Sequence, residues 1–169
     1  DVAKPLSQGH KGERITFYGH CEKGADMAVE ICQRLKRSRA TWERVAFLVK
    51  NHLRFLDAPR MRTAALKRFL RLDGIEELLA LARLDALASD GDLSSYEFCR
   101  KKLKELGPDG IAPACLLSGR DLIQLGFQPS PQFTVILDAV EEAQLEGQVR
   151  TREDAVSWVQ QHWQPETQD

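Results

Sequence analysis

Two ionisable residues stand on the apolar faces of helices that the sequence predicts. His52 continues the apolar stripe of the second predicted helix, and Asp85 continues that of the fourth. A carboxylate on a buried face is costly unless it is paired or bound to a metal ion. Asp85 therefore either binds a metal or, if the helix phase drifts, faces solvent or pairs with Arg83 or Arg54. His52 is either a metal ligand or a core histidine whose hydrogen bonds are satisfied.

Asp1 and His20 extend this pair to four potential ligands on separate loops and helices. Helical bundles build metal sites from side chains that different helices contribute in this way. Imidazole and carboxylate groups suit Mn, Fe, Mg, Co or Ni better than they suit metals that prefer thiolates. We therefore predict a divalent-metal site formed by Asp1, His20, His52 and Asp85, with the identity of the metal left open.

The elements that must position these residues are helices. Apolar residues recur with helical spacing from Glu22 onward, and no stretch alternates with period two for long, so the predicted fold class is all-α. Thr41 is the predicted N-cap of the second helix, and the spacing of Thr151 and Asp154 resembles a capping box. The Gly- and Pro-rich stretch 107–113 predicts a linker between a domain at 1–106 and a segment at 114–169.

Composition bounds the class of protein. The chain has 169 residues, of which 43% are hydrophobic and 29% charged, which excludes a disordered tail. No apolar run approaches the roughly 20 residues needed to cross a bilayer. The four cysteines form no CxxC pair, which favours free thiols in a reducing compartment, and we expect a cytoplasmic protein.

Basic residues cluster locally although 24 Lys and Arg against 25 Asp and Glu leave a net charge of −1. Each cluster is either a solvated helix face or part of a cationic surface that follows an RNA backbone. Acidic residues such as Glu141 and Glu142 lie elsewhere in the sequence, which favours a segregated cationic face. The candidate RNA-binding residues are Arg37, Arg39, Arg60, Arg62, Lys67, Arg68, Arg71, Lys101 and Lys102.

The turn at 126–131 offers a second way to bind a phosphate. Its backbone amides near Gly126 and the hydroxyl of Ser130 would donate to a phosphate at a helix N-terminus. The alternative is a helix connection that proline merely makes rigid. Both interpretations stay open on the sequence alone.

The order of the motifs resembles a known family. The segments DVAKP (1–5), FYGH (17–20), GA (24–25), LVKNH (48–52) and LDALAS (84–89) resemble the HD superfamily of metal-dependent phosphohydrolases. They are most similar to the HD-bearing region of bacterial class II tRNA nucleotidyltransferases and poly(A) polymerases. LLSGRDL (116–122), LGFQPSPQF (125–133) and EAQLEG (142–147) are similar to the C-terminal segment of the same enzymes.

This resemblance implies an HD-domain-like helical bundle, N-terminally truncated, followed by a small helical C-terminal segment that binds tRNA. It implies that a separate nucleotidyltransferase head in the parent polypeptide transfers the nucleotide during tRNA 3′-end maturation. The alternative is an HD phosphohydrolase, a phosphatase or 2′,3′-cyclic phosphodiesterase, in which Lys4 would offset phosphate charge during catalysis. Three departures stand out. The histidine partner of Asp1 and the upstream family histidine are absent, Cys21 occupies a position where these enzymes usually have an acid, and the catalytic head is missing. We expect a fragment that is a poor hydrolase on its own.

Overall fold

Helices dominate the computed structural model, which describes residues 3–11, 14–89 and 91–165. The elements in chain order are β1 (Gly9–Lys11), β2 (Arg14–Thr16), α1 (His20–Arg34), α2 (Arg39–Asn51), α3 (Arg54–Asp57), α4 (Thr63–Leu70), α5 (Ile75–Ala88), α6 (Ser94–Ile111), α7 (Gly119–Gln124), α8 (Gln132–Leu145) and α9 (Arg152–His162). Short 3₁₀ turns occupy Pro5–Ser7 and Ala58–Arg60. The prediction of an all-α fold is confirmed, and β1 and β2 form only a small antiparallel hairpin in which His10 pairs with Ile15.

Helix ends follow the local capping chemistry, with one correction. Thr151 and Asp154 form the predicted capping box at the start of α9. The prediction that Thr41 caps α2 is wrong, because Ser38 is the N-cap and its hydroxyl accepts the amide of Thr41 at 3.3 Å. The helix therefore begins at Arg39, two residues earlier than Thr41.

The glycine- and proline-rich stretch after residue 106 is largely helical rather than extended. Gly107 takes φ 63° and ψ 177°, which interrupts α6, and the helix resumes at Pro108. Proline has no backbone N–H, and a residue in the first turn of a helix has no intrahelical acceptor for one, so Pro108 fits at the start of the resumed helix. Gly107 is therefore the residue that interrupts the helix in this stretch.

The chain divides into two compact units. The first comprises Asp1–Arg60 and Asp73–Lys102, and the second comprises Met61–Leu72 and Leu103–Asp169. Helix α4 thus belongs to the second unit although it lies early in the sequence. The division predicted from the sequence, a domain at 1–106 and a segment at 114–169, stays a prediction.

The core of the first unit forms where helices α1, α2 and α5 pack. A Cβ atom at Gly24 would lie 3.1 Å from Val49 Cγ1, so a larger residue there would require Val49 to shift by a few tenths of an ångström. Helix α5 is held to α2 by Arg44, whose Nε donates to Glu77 at 2.7 Å. The largest buried side chains of this unit are Phe55, Leu78 and Leu79.

The second unit has its own apolar cluster. Its buried members are Leu117, Leu122, Phe127, Ile136, Val140, Ala155 and Val159. Helix α4 joins α8 through polar contacts: Lys67 Nζ donates to the carbonyl of Leu145 at 2.8 Å, and the amide of Ala64 donates to Glu146 at 2.9 Å. In the described part of the chain, every helix is too short or too polar to cross a membrane.

Candidate metal centre and cationic residues

Two histidines meet where α1 begins and α2 ends. His20 is the first residue of α1, after Gly19 with φ 77°, and His52 follows the last residue of α2. The close approach of the two helices at Gly24 brings the rings edge to face, with centroids 5.7 Å apart. His20 is buried and His52 is half-buried.

Backbone carbonyls orient both imidazoles. Nδ1 of His20 lies 2.6 Å from the carbonyl oxygen of Phe17, and Nδ1 of His52 lies 2.6 Å from that of Val49. A carbonyl oxygen can only accept, so each Nδ1 carries the proton and donates it. An imidazole that is neutral while it makes this bond has its lone pair at Nε2. Metal-binding histidines are commonly held by this kind of bond through their second nitrogen.

Cys21 joins the two histidines. Its Sγ lies 3.5 Å from Nε2 of His20, and one potential ligand atom from each of His20, Cys21 and His52 lies within 4.8 Å of the others. Burial raises the pKa of the Cys21 thiol, and the charge of Glu22 acts in the same direction. The sequence prediction did not include Cys21. Its position directly after His20, where the resembled enzymes have an acid, is the signal that could have identified it.

Asp85 and Lys4 border the same space as the histidines. Both line a cavity of about 420 Å³ together with His20 and His52. The expectation that Asp85 lies on a buried face is wrong, because its side chain is exposed. The buried stripe of α5 runs through Leu79, Ala82 and Ala86, and Asp85 stands at its edge, where the helix faces the cavity. Asp1 lies outside the described residues.

The basic cluster at residues 54–71, which includes Arg68 and Arg71, is partly engaged by carboxylates. Arg68 pairs with Glu142 and, at 3.2 Å, with Glu141, and Arg71 pairs with Glu141 at 2.8 Å. These bonds raise the pKa of Arg68, chiefly through Glu142, and lower the pKa of Glu141, chiefly through Arg71. The inference that acidic residues such as Glu141 and Glu142 are segregated from this cluster is therefore wrong. Helix packing places them directly against it.

The other candidate cations differ in their surroundings. Arg39 pairs with Glu43 at 2.7 Å, and Lys102 Nζ lies 6.0 Å from the centroid of the Phe98 ring. Lys101 is exposed. The remaining three are exposed and form no ion pair with any residue in the described ranges: Arg37, Arg60 and Arg62.

The turn at 126–131 uses some of its own amides. Gly126 has φ 90°, and its amide donates to the carbonyl of Ile123 at 3.0 Å. The next amide, of Phe127, donates to Leu122 at 3.1 Å. Both donors are thus occupied in ending α7. Ser130 is exposed, which keeps its hydroxyl as the candidate phosphate donor of this turn.

The fold and the side chains so far describe an all-α protein with a group of potential metal ligands and several exposed arginines. Neither a protein-family model nor a solved structure matches the chain. The CC-adding tRNA nucleotidyltransferase of Thermus thermophilus is 36% identical over 161 residues, which cover 92% of this chain and 36% of that enzyme. The A-adding tRNA nucleotidyltransferase of Deinococcus radiodurans is 34% identical over 179 residues, covering 99% and 40%.

These similarities confirm the resemblance to the tRNA nucleotidyltransferases, whereas the resemblance to HD phosphohydrolases stays a prediction. The chain is related over nearly its whole length to a segment of the tRNA nucleotidyltransferases. It spans about two-fifths of the length of these curated relatives.

Proposed function

We propose that this chain is the tRNA-binding portion of a tRNA nucleotidyltransferase or poly(A) polymerase that matures tRNA 3′ ends. The observation that supports this most is the similarity, over nearly the whole chain, to one CC-adding and one A-adding tRNA nucleotidyltransferase. Nucleotide transfer itself would belong to a separate head in the parent polypeptide. The role of this chain is then to hold the tRNA, and a cytoplasmic location follows from that role.

The exposed arginines Arg37, Arg60 and Arg62 are the strongest candidates for binding phosphates. An arginine already bound to a carboxylate gains less from a phosphate, because the phosphate must displace an existing partner. Arg68 and Arg71 are in that position. Bonds to phosphates fix the position of an RNA without reading its bases, so these arginines would hold different tRNAs similarly.

The test is tRNA binding by filter retention across a series of salt concentrations. Each of Arg37→Ala, Arg60→Ala and Arg62→Ala should reduce the slope of log K against log salt by roughly 0.7–0.9 for every phosphate that the variant no longer neutralises. Arg100→Ala is the matched control, since Arg100 is exposed but already pairs with Glu76. The slope of log K against log salt for Arg100→Ala should stay close to that of the unmodified 169-residue chain.

Two results would contradict this proposal. One is affinity for tRNA that does not change with salt, because neutralising phosphates releases counterions. The other is a set of three arginine variants that behave like Arg100→Ala. In that case the exposed arginines belong to solvated helix faces.

A second candidate function is metal-dependent phosphohydrolysis. The observation that favours it is the cavity bordered by His20, His52, Lys4 and Asp85. His20 and His52 would hold the metal through Nε2, and a bound divalent metal supplies an activated water for hydrolysis. The ammonium group of Lys4 would bind and neutralise a phosphate. The predicted ligand set also includes Asp85, which borders the same cavity, and Asp1, which lies outside the described residues.

Phosphatase and 2′,3′-cyclic phosphodiesterase assays with Mn²⁺ or Ni²⁺ test this second function. We expect low turnover from this chain, and we expect His52→Ala to leave tRNA binding nearly unchanged. Substantial turnover that His52→Ala abolishes would make hydrolysis the principal activity of the chain. Loss of tRNA binding in His52→Ala would show that the two sites are not separate.

A further inference from the structure

We propose that Cys21 is a metal ligand together with His20 and His52, and that its thiolate gives the centre a preference for Zn²⁺ or Co²⁺ over Mn²⁺ and Mg²⁺. The inference rests on the metal site of the proposed function and deepens it by naming a ligand and a class of metal. It adds a thiolate to the predicted imidazole ligands His20 and His52. Soft thiolate ligands select zinc and similar metals, whereas carboxylates and water suit magnesium and manganese.

The positions of the three donor atoms fit one metal ion. For three atoms no more than 4.8 Å apart, some point lies within about 2.8 Å of each. Typical zinc bonds are about 2.3 Å to sulfur and about 2.0–2.1 Å to histidine nitrogen. Side-chain shifts of less than about 1 Å therefore bring all three donors to bonding distance, which rotations about χ1 and χ2 provide.

The hydrogen bonds of the two imidazole rings fit the same arrangement. Each Nδ1 donates to a backbone carbonyl, at Phe17 for His20 and at Val49 for His52, which fixes Nε2 as the ligating nitrogen. Cys21 Sγ lies on the Nε2 side of His20, 3.5 Å from that atom. Binding M²⁺ converts the Cys21 thiol to a thiolate and releases its proton to solvent.

Three protein ligands leave a coordination position open, as in catalytic zinc sites. His20 and His52 also line the 420 Å³ cavity, so a small ligand in the cavity can reach the centre. Lys4 lines the same cavity as the two histidines and carries a positive charge. An anionic ligand such as inorganic phosphate is thus the kind of molecule that the surroundings favour.

The experiment is a titration of the full 169-residue chain with Co²⁺, followed by absorbance, and with Zn²⁺ in competition. A thiolate bound to Co²⁺ gives an intense near-ultraviolet charge-transfer band that imidazole and carboxylate ligands do not give. We expect this band in the parent chain and its loss in Cys21→Ser. Cys32→Ser is the matched control on the same helix, and Cys115→Ser controls for an exposed thiol; both should keep the band.

Affinity supplies a second readout. Cys21→Ser should weaken Zn²⁺ binding by more than the 10- to 100-fold or so that is typical when a residue that only orients a ligand is removed. Cys21→Asp should reduce the ratio of Zn²⁺ to Mn²⁺ affinity, because a carboxylate is a harder ligand than a thiolate and suits Mn²⁺ better. Circular dichroism of each variant establishes that the helices are intact before the comparison is made.

The possible outcomes are distinct. Two results overturn this inference and leave the proposed metal site standing. One is Co²⁺ binding that His52→Ala abolishes but that gives no thiolate band. The other is a thiolate band that Cys21→Ser leaves unchanged. No binding of Co²⁺ or Zn²⁺ at all overturns both. Failure of tRNA binding in the salt series bears on the tRNA-binding proposal alone, since that assay contains none of these variants.

Discussion

Gly74 is a residue at which a single methyl group should disturb the contacts that Arg44 makes between α2 and α5. It precedes α5 with φ 81°, a conformation that costs an L-amino acid about 1–2 kcal/mol. A Cβ atom at this position would also overlap the guanidinium group of Arg44. Gly74→Ala therefore imposes both backbone strain and displacement of Arg44.

Displacing Arg44 removes several interactions at once. Its Nε donates to Glu77 at 2.7 Å, its Nη1 donates to the carbonyl of Asp73 at 3.3 Å, and its guanidinium lies 5.3 Å from the centroid of the Phe47 ring. These interactions hold the start of α5, which carries Glu77, to α2. Gly74→Ala should accordingly cost more stability than strain alone.

Gly91 provides the matched control beyond the other end of α5. Its φ is 78°, and no atom of the described residues lies within 4 Å of a Cβ built there. Gly91→Ala should lower the free energy of unfolding by about 1–2 kcal/mol, the cost of the strain alone. Urea unfolding followed by circular dichroism measures both variants, and Gly74→Ala should have the lower midpoint.

A double-mutant cycle isolates the contribution of the overlap. In an Arg44→Ala background the guanidinium is gone, so Gly74→Ala should then cost no more than Gly91→Ala does. This reasoning would be refuted if Gly74→Ala and Gly91→Ala lowered the free energy of unfolding of the unmodified chain equally. The effects of Gly74→Ala and Arg44→Ala would then also be strictly additive. The overlap would then be relieved by a free rotation of the Arg44 side chain.

Three further predictions concern pH and thiol chemistry. Hydrogen bonds from Ser118, followed by the ion pair with Arg152, hold the pKa of Asp121 well below its usual range. The folded state thus favours the carboxylate, so stability is present above the ordinary aspartate pKa of about 3.9 and falls as the pH drops below it. Asp121→Asn should flatten this decline in urea unfolding measured at acidic pH; an unchanged decline would contradict the assignment. Burial raises the pKa of Cys99 to about 11, so stability should fall as the pH rises above about 9, where the unfolded thiol ionises. In the native state at neutral pH, Cys99 should be modified by a thiol reagent after the exposed Cys115, as peptide mass spectrometry would record; equal rates would argue against its burial.

The sequence predicted the helical class well because apolar periodicity reports directly on which face of a helix is buried. The helix ends were predicted less evenly. Thr151 was identified correctly because Asp154 completes its capping box. The α2 cap was misplaced because Ser38 and Thr41 are both good caps three residues apart, and their hydroxyls bond to each other at 2.8 Å. Local propensity alone cannot choose between two such residues.

The metal centre shows which part of a site the sequence can predict. His52 was selected because it continues an apolar stripe, and His20 because it adds a ligand from a separate element; the structure brings the two rings together where α1 approaches α2 at Gly24. Cys21 was assessed by its spacing from other cysteines and noted as a departure from the resembled enzymes, and neither observation indicates that its thiol lies near His52 on another helix. Asp85 was assigned to a buried stripe, whereas the opening of the cavity beside α5 exposes it.

The basic clusters required the tertiary structure most. Arg68 and Arg71 are separated from Glu141 and Glu142 by seventy or more residues, so nothing in the local charge pattern indicates their pairing. The packing of α4 on α8 creates these ion pairs, and a phosphate would have to displace a carboxylate from Arg68 or Arg71. Both arginines then act mainly in joining α4 to α8. If this chain holds tRNA by its phosphates, the salt dependence must therefore come chiefly from cations that no carboxylate of the described residues engages, which is why Arg62 is a better position to test than Arg68.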